Sequence, residues 1–316
     1  MADARLAIAA RTTLERLGVR TGESVLVLFN PELADIAGAL AGAAREFGCG
    51  LRQLEFPATT RNGEEPPAEV AAALLMVDAA AIVTNFSLSH TRARAAATRR
   101  GVRIASMPGI TLDIFCRTVP VDYALLETRG RVLAERLSAA DRCRVVSSTG
   151  TDIELVLTGR VGRSDDGDLR SAGAFGNLPA GEAYIAPRED RGEGTVIFDG
   201  SIATTGLLGG PLRVELRRGR LVSADGEGAE ALLTALDAGG KNGRVIAELG
   251  IGTNPFARIH GRVIEDEKVE GTIHVAFGTN SGIGGENEAA VHVDGVVRDP
   301  TVELDGETIL RDGRFV

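Results

Sequence analysis

Over residues 1–141 the chain alternates short apolar runs with amphipathic, alanine-rich stretches, a pattern that few architectures accommodate. "ARLAIAARTTLERL" reads as a helix and "ESVLVLFN" as a buried strand. "PELADIAGALAGAAREFG" opens on Pro and closes on Gly, as helices do; "LRQLEF" is a short strand and "PPAEVAAALLMVDAA" the next helix. The strand "AIVTNF", the Ser- or Thr-capped helix "SHTRARAAATRRG" and the strand "VRIASMPG" continue the series. Strands separated by helices pair in parallel, so this half is predicted to be a doubly wound α/β domain.

After the long helix "VDYALLETRGRVLAERLSAA" the character changes near Arg142. Short alternating segments with Gly-rich turns take over, among them "RCRVVSSTGTDIELVLTG", "LRVELRRGRLVSADG", "GTIHVAFG" and "AAVHVDGVV", with one helix, "GAEALLTALDAG", between them. Residues 142–316 are therefore expected to form a mainly antiparallel β domain. A hydrophobic fraction of 44% over 316 residues suits two ordinary cores.

A formal net charge of -9 excludes a surface built for phosphate backbones, so no nucleic-acid partner is expected. The charged start "MADARLAIAARTTLERLG" is unlike a signal peptide, and no run of 18 apolar residues occurs; a cytoplasmic chain without membrane contact is expected. Three widely spaced cysteines fit reduced, structural thiols. Aromatic residues make up only 4%, which argues against a pocket of stacked rings. "GIGTN" and "GLLGGP" lack the context of phosphate loops, and no G-x-S-x-G elbow is present.

Two of the four histidines fall in predicted strands of the second half. In "VHVDG" the period of two sends His292 and Asp294 to one face, where imidazole and carboxylate can grip one metal ion. Between His274 and His292, Gly278, Gly282, Gly284 and Gly285 allow sharp turns. Glu248 stands among apolar residues in "RVIAELGIG", and Glu182 between Pro179 and Pro187; buried carboxylates require a cation or strong hydrogen bonds. The acids Glu265, Asp266 and Glu267 read instead as a solvated run. His260 reads as a strand-edge structural residue, and Arg258 as one that could reach the site.

The islands "NLPAGEAYIAP", "AELGIGTNP", "EDEKVEGTIHVAFG", the Gly-rich loop and "VHVDGVV…VELDG" occur in the order found in the aminopeptidase T group of metallopeptidases (M29) and its shorter relatives, which this sequence resembles over roughly residues 175–316. The resemblance implies two divalent metals, zinc or cobalt, held by Glu182, Glu248, His274, His292 and Asp294. It further implies Glu248 as the bridging carboxylate, and Glu267 as a sixth ligand or the acid/base that serves the attacking water. The implied activity is hydrolysis of a small peptide or amide by a homodimer. The chain departs from that group in its compressed His274–His292 connection and in Ser281, which stands near the place of a tyrosine. Backbone N–H groups of the Gly-rich loop are the substitute oxyanion donors.

The shorter relatives include a non-haem Fe(II) dioxygenase that opens 2,5-dihydroxypyridine through two histidines and one aspartate. His274, His292 and Asp294 could equally supply that triad, with His90 of "SHTRAR" as its base. Retention of Glu182 and Glu248, which an iron triad does not need, favours the hydrolase.

Overall fold

The computed structural model describes residues 2–316 and divides into two compact units. One comprises the residues up to Tyr123 together with Gly167–Ala180; the other comprises Ala124–Asp166 and Gly181–Val316. The expected order of a parallel-sheet α/β part followed by an antiparallel β part is found. The units are not divided at 141/142, however. Most of the long helix Tyr123–Ala139 groups with the second unit, and a later segment returns to the first.

The first unit is a five-stranded parallel sheet in the order Gly50–Glu55, Ser24–Phe29, Ala79–Thr84, Arg103–Pro108, Phe175–Asn177. The central strand Ala79–Thr84 is buried along its whole length, as "AAAIVT" requires of a strand with helices on both faces. Leu26, Leu28, Ala80, Ile82 and Ile104 pack against Val70, Leu74, Ala93 and Ala97 on one side. Helices Ala34–Glu46 and Leu112–Thr118 meet helix Ala2–Arg16. The Thr91 side chain accepts the Arg94 N–H and so caps helix Arg92–Arg99. The edge strand Phe175–Asn177 comes from beyond the expected boundary, because so short a segment carries no period of its own in the sequence.

The second unit holds an eight-stranded and a seven-stranded sheet, both antiparallel. The seven-stranded sheet runs Gly206–Leu207, Ser201–Ile202, His292–Val297, Ile273–Gly278, Ile246–Gly252, Glu182–Ile185, Arg163–Asp165. Its inner face contributes Ala183, Ile185, Leu249, Ile251, Ile273, Val275, Phe277, Val293 and Val297 to one core with Val145, Leu155, Val196, Phe198 and Leu236. Each fully buried Leu, Ile, Val or Phe there contributes roughly 1.5–3 kcal/mol, so the inner face fixes the register of every strand. No helix among the described residues is long and apolar enough to cross a membrane.

Candidate metal centre

Register decides which side chains share the other face of this sheet. Asp165 pairs with Glu182 and Glu182 with Gly252; Tyr184 pairs with Arg163 and Gly250, and Gly250 with His274. Glu248 pairs with Ala276 and Ala276 with Asp294, while His292 lies opposite Gly278. Directly opposed residues project to the same side. Five strands thereby bring Asp165, Glu182, Glu248, His274, His292 and Asp294 to one surface. A bulge between Ile246 and Glu248 tunes the placement of Glu248.

Gly250 gives His274 its room. A Cβ at position 250 would stand 2.0 Å from both Cε1 and Nε2 of the imidazole. The ring therefore lies flat against bare backbone, and its Nε2 is 3.4 Å from both Glu182 Oε2 and Glu248 Oε1. The other Glu248 oxygen, Oε2, is 3.3 Å from His292 Nε2, which is also 3.3 Å from Asp294 Oδ1. The Thr279 carbonyl stands 2.7 Å from His292 Nδ1, so that nitrogen donates and Nε2 is turned to the carboxylates.

Three sets of donor atoms converge: Glu182, Glu248 and His274; Glu248, His292 and Asp294; and Glu267, His274 and Asp294. Two ligands held about 2.0–2.1 Å from one ion at the tetrahedral angle stand roughly 3.3–3.4 Å apart, which matches these carboxylate–imidazole separations. Glu182 Oε2 and His274 Nδ1 are buried without a hydrogen-bond partner. The donor set thus suits a divalent ion. Glu248 links the first two sets and Asp294 the last two, while the two imidazoles share none.

The feature missed in the sequence is Lys268. It is wholly buried, and its ammonium donates to Glu182 Oε1 at 2.6 Å and Glu267 Oε1 at 2.7 Å, with Asp165 Oδ2 3.4 Å away. The run that contains it is not solvated, contrary to expectation. Glu265 and Asp266 have no exposed surface. Glu265 accepts the Arg258 N–H and pairs with His260 Nε2, and Asp266 accepts the N–H groups of His260 and Gly261. These acids hold a turn, which accounts for their burial. His260 accordingly sits in that turn and not at a strand edge, and Arg258 is exposed. The apolar residues Val263, Ile264 and Val269 that flank the charges in "VIEDEKVEG" were the available signal.

Electrostatics follow from burial. Burial opposes charge on His274, yet Glu248, Glu182 and Glu267 lift it to about 9. Burial likewise opposes charge on His292, and Asp294 and Glu248 outweigh it to hold that imidazole well above its ordinary range. Glu248 is buried too, but hydrogen bonds from both imidazoles keep it well below the usual carboxylate range. Burial pushes Glu182 up to about 8 and Asp165 to about 6 against the pull of Lys268, and it raises Glu267. Despite its own burial, Lys268 is held protonated by Glu182, Glu267 and Asp165.

His90 lies in the first unit, exposed, just before the capping Thr91. It belongs to none of the converging sets. Ser281 is exposed in the short turn Ser281–Ile283 of the Gly-rich loop.

The family model described as 2,5-dihydroxypyridine 5,6-dioxygenase (NicX) matches residues 5–316. The chain belongs to that family. Among solved structures it is similar to 2,5-dihydroxypyridine dioxygenase from Pseudomonas putida KT2440, with 20% identity and a TM-score of 0.85 over 100% of this chain and 98% of that one. It is also similar to AmpT from Thermus thermophilus, at 20% identity and a TM-score of 0.76 over the whole of both chains. Both likenesses are of fold. No curated protein sequence matches the chain. Membership in the NicX family makes this a member of an enzyme family, and the metal face has to be read on its own residues.

Proposed function

We propose that this NicX-family chain is a ring-opening dioxygenase that works with one ferrous ion and takes a hydroxylated, pyridine-type ring. The observation that carries the reading is Lys268. Retained Glu182 had pointed to a second metal, but its Oε1 lies 2.6 Å from the buried ammonium, which also serves Glu267. Those carboxylates already have their cation. Glu248 and Asp294 have no such ammonium beside them, and one divalent ion balances those two carboxylates.

Asp294 occurs in two donor sets, once with each imidazole. An ion that drew on Asp294 and on an imidazole from each of those sets would have the two-histidine, one-carboxylate ligation of non-haem iron oxygenases. When bound, the ferrous ion supplies open positions for dioxygen and a ring oxygen and the electrons that activate the former. The chain's own residues do the remainder. Thr279 orients His292, Gly250 leaves space for His274, and Glu248 stays ionised between the two rings. Burial raises Glu182 against the pull of Lys268, and its Oε2, without a hydrogen-bond partner beside His274, is placed to exchange a proton as the ring opens.

The test is oxygen uptake after anaerobic loading with one equivalent of ferrous iron. Disappearance of 2,5-dihydroxypyridine with one dioxygen consumed per ring is expected. A protein that binds two non-iron metals and leaves the ring untouched overturns the reading.

A second reading rests on a specific observation. Glu248 presents one oxygen to His274 and the other to His292, and Glu182 Oε2 is unpartnered beside His274. A carboxylate in that position can bridge two ions, the arrangement of a dinuclear hydrolase. Cleavage of amino-acid amides by protein carrying two zinc or cobalt ions would establish it.

A further inference from the structure

The metal face carries two more side chains that no ligand set uses. Tyr184 lies two residues beyond Glu182 on strand Glu182–Ile185 and so projects to the same side. Its register partners are Gly250, which has no side chain, and Arg163 on the edge strand Arg163–Asp165. Asp165, two residues from Arg163, already faces Lys268, which puts Arg163 on this side as well. The chain has only two tyrosines, and the other, Tyr123, donates its hydroxyl to the Val119 carbonyl. Tyr184 is half-buried, and its hydroxyl has no hydrogen-bond partner among the described residues. The Arg163 guanidinium, exposed beside the Gly-rich loop at Gly284, has no ion pair among them either. A half-buried phenol donor and an uncommitted guanidinium, adjacent and turned to the same side as a metal cage, form a ready receptor for negatively charged oxygen.

We infer that Tyr184 and Arg163 form a subsite that binds an anionic oxygen of the substrate, either a ring oxyanion or a carboxylate on the ring. The inference rests on the ring-opening reading and narrows its substrate class to rings that carry such an oxygen. A tyrosine phenol is neutral at physiological pH, so it acts as a donor. Arg163 supplies the charge, and the phenol supplies direction. Because both sit on the Asp165 side of the sheet and His292 and Asp294 beyond Glu248, a ring held at one end by the subsite reaches toward the ion with the other.

The experiment is calorimetric titration under argon of ferrous-loaded protein with 2,5-dihydroxypyridine and with 2,5-dihydroxybenzoate, using wild type, Tyr184→Phe and Arg163→Gln. Metal content and melting temperature are measured on each. Both variants are expected to keep their iron and their melting temperature and to bind the preferred ligand roughly ten-fold more weakly. Preference for the dihydroxypyridine identifies a ring oxyanion as the bound group; preference for the benzoate, lost in Arg163→Gln, identifies a carboxylate. Wild-type affinity for both ligands in either variant overturns the subsite, as does loss of iron from Tyr184→Phe. If wild type binds neither ligand, the ring-opening reading fails and the subsite fails with it.

Discussion

At Gly250 the absence of a side chain is a requirement of the site. A methyl there would stand 2.0 Å from His274 Nε2, so the imidazole must swing away from Glu182 and Glu248. Gly250→Ala is expected to weaken metal binding about 10–100-fold and to destabilise the fold by about 1–3 kcal/mol, read by chelator competition and by urea denaturation. Lys268 invites the complementary test. Lys268→Met leaves Glu182, Glu267 and Asp165 buried without their cation, and the metal-free protein should lose about 3–5 kcal/mol. The loss should shrink at pH 5, where carboxylates raised by burial take up protons. An unchanged urea midpoint at pH 7.5 would disprove the role given to Lys268. Both residues mark how far the sequence can be read. His292 and Asp294 declare themselves by period two, and Glu248 by its apolar setting. Lys268 sits in a run of charges that, taken locally, belongs in water; only the fold, which sets the turn after helix Val263–Asp266 against strand Glu182–Ile185, shows that Glu182 is its partner.

Among elements, the Gly-rich segment between the two histidines is held by a charged clasp. Glu189 accepts from Asn280 Nδ2 and from the Glu286 N–H and pairs with Arg160, which donates to the Gly284 carbonyl. The Arg160 side chain is only 4% exposed, so it cannot turn to solvent for a substitute partner. Glu286, 3.6 Å from Arg160, remains as a weaker partner, so Glu189→Ala should cost about 1–3 kcal/mol and raise amide exchange across residues 279–287 while leaving exchange in the first unit unchanged. Because Thr279 orients His292, metal affinity should fall as well. Strands with clear alternation were legible in advance, as was the parallel sheet. The edge strands Phe175–Asn177 and Arg163–Asp165 were not, since three residues hold no period and are defined by the partner they meet.

On the scale of the whole molecule, the metal face links stability to pH and to ions. His274 is raised to about 9 by its carboxylates, so in metal-free protein its charge stabilises the fold fully below about pH 6.5, and that contribution disappears as pH rises through 9. A bound divalent ion requires the neutral imidazole, so its affinity should instead strengthen over the same interval. Thermal melts between pH 6.5 and 9.5 are expected to fall without metal and to level or rise with it. At a free-ion concentration of 100 times Kd the added stability should be about 2.7 kcal/mol. Parallel pH profiles with and without metal would contradict this coupling.

Four strands of the seven-stranded sheet, Glu182–Ile185, Ile246–Gly252, Ile273–Gly278 and His292–Val297, turn apolar residues toward the core and ionisable residues away from it, so one backbone serves two purposes. Substitution on the outer side can exchange a ligand, a proton carrier or a binding group while the apolar side chains of the inner face keep their places. A sheet of this kind separates the residues that hold the fold from those that set the chemistry.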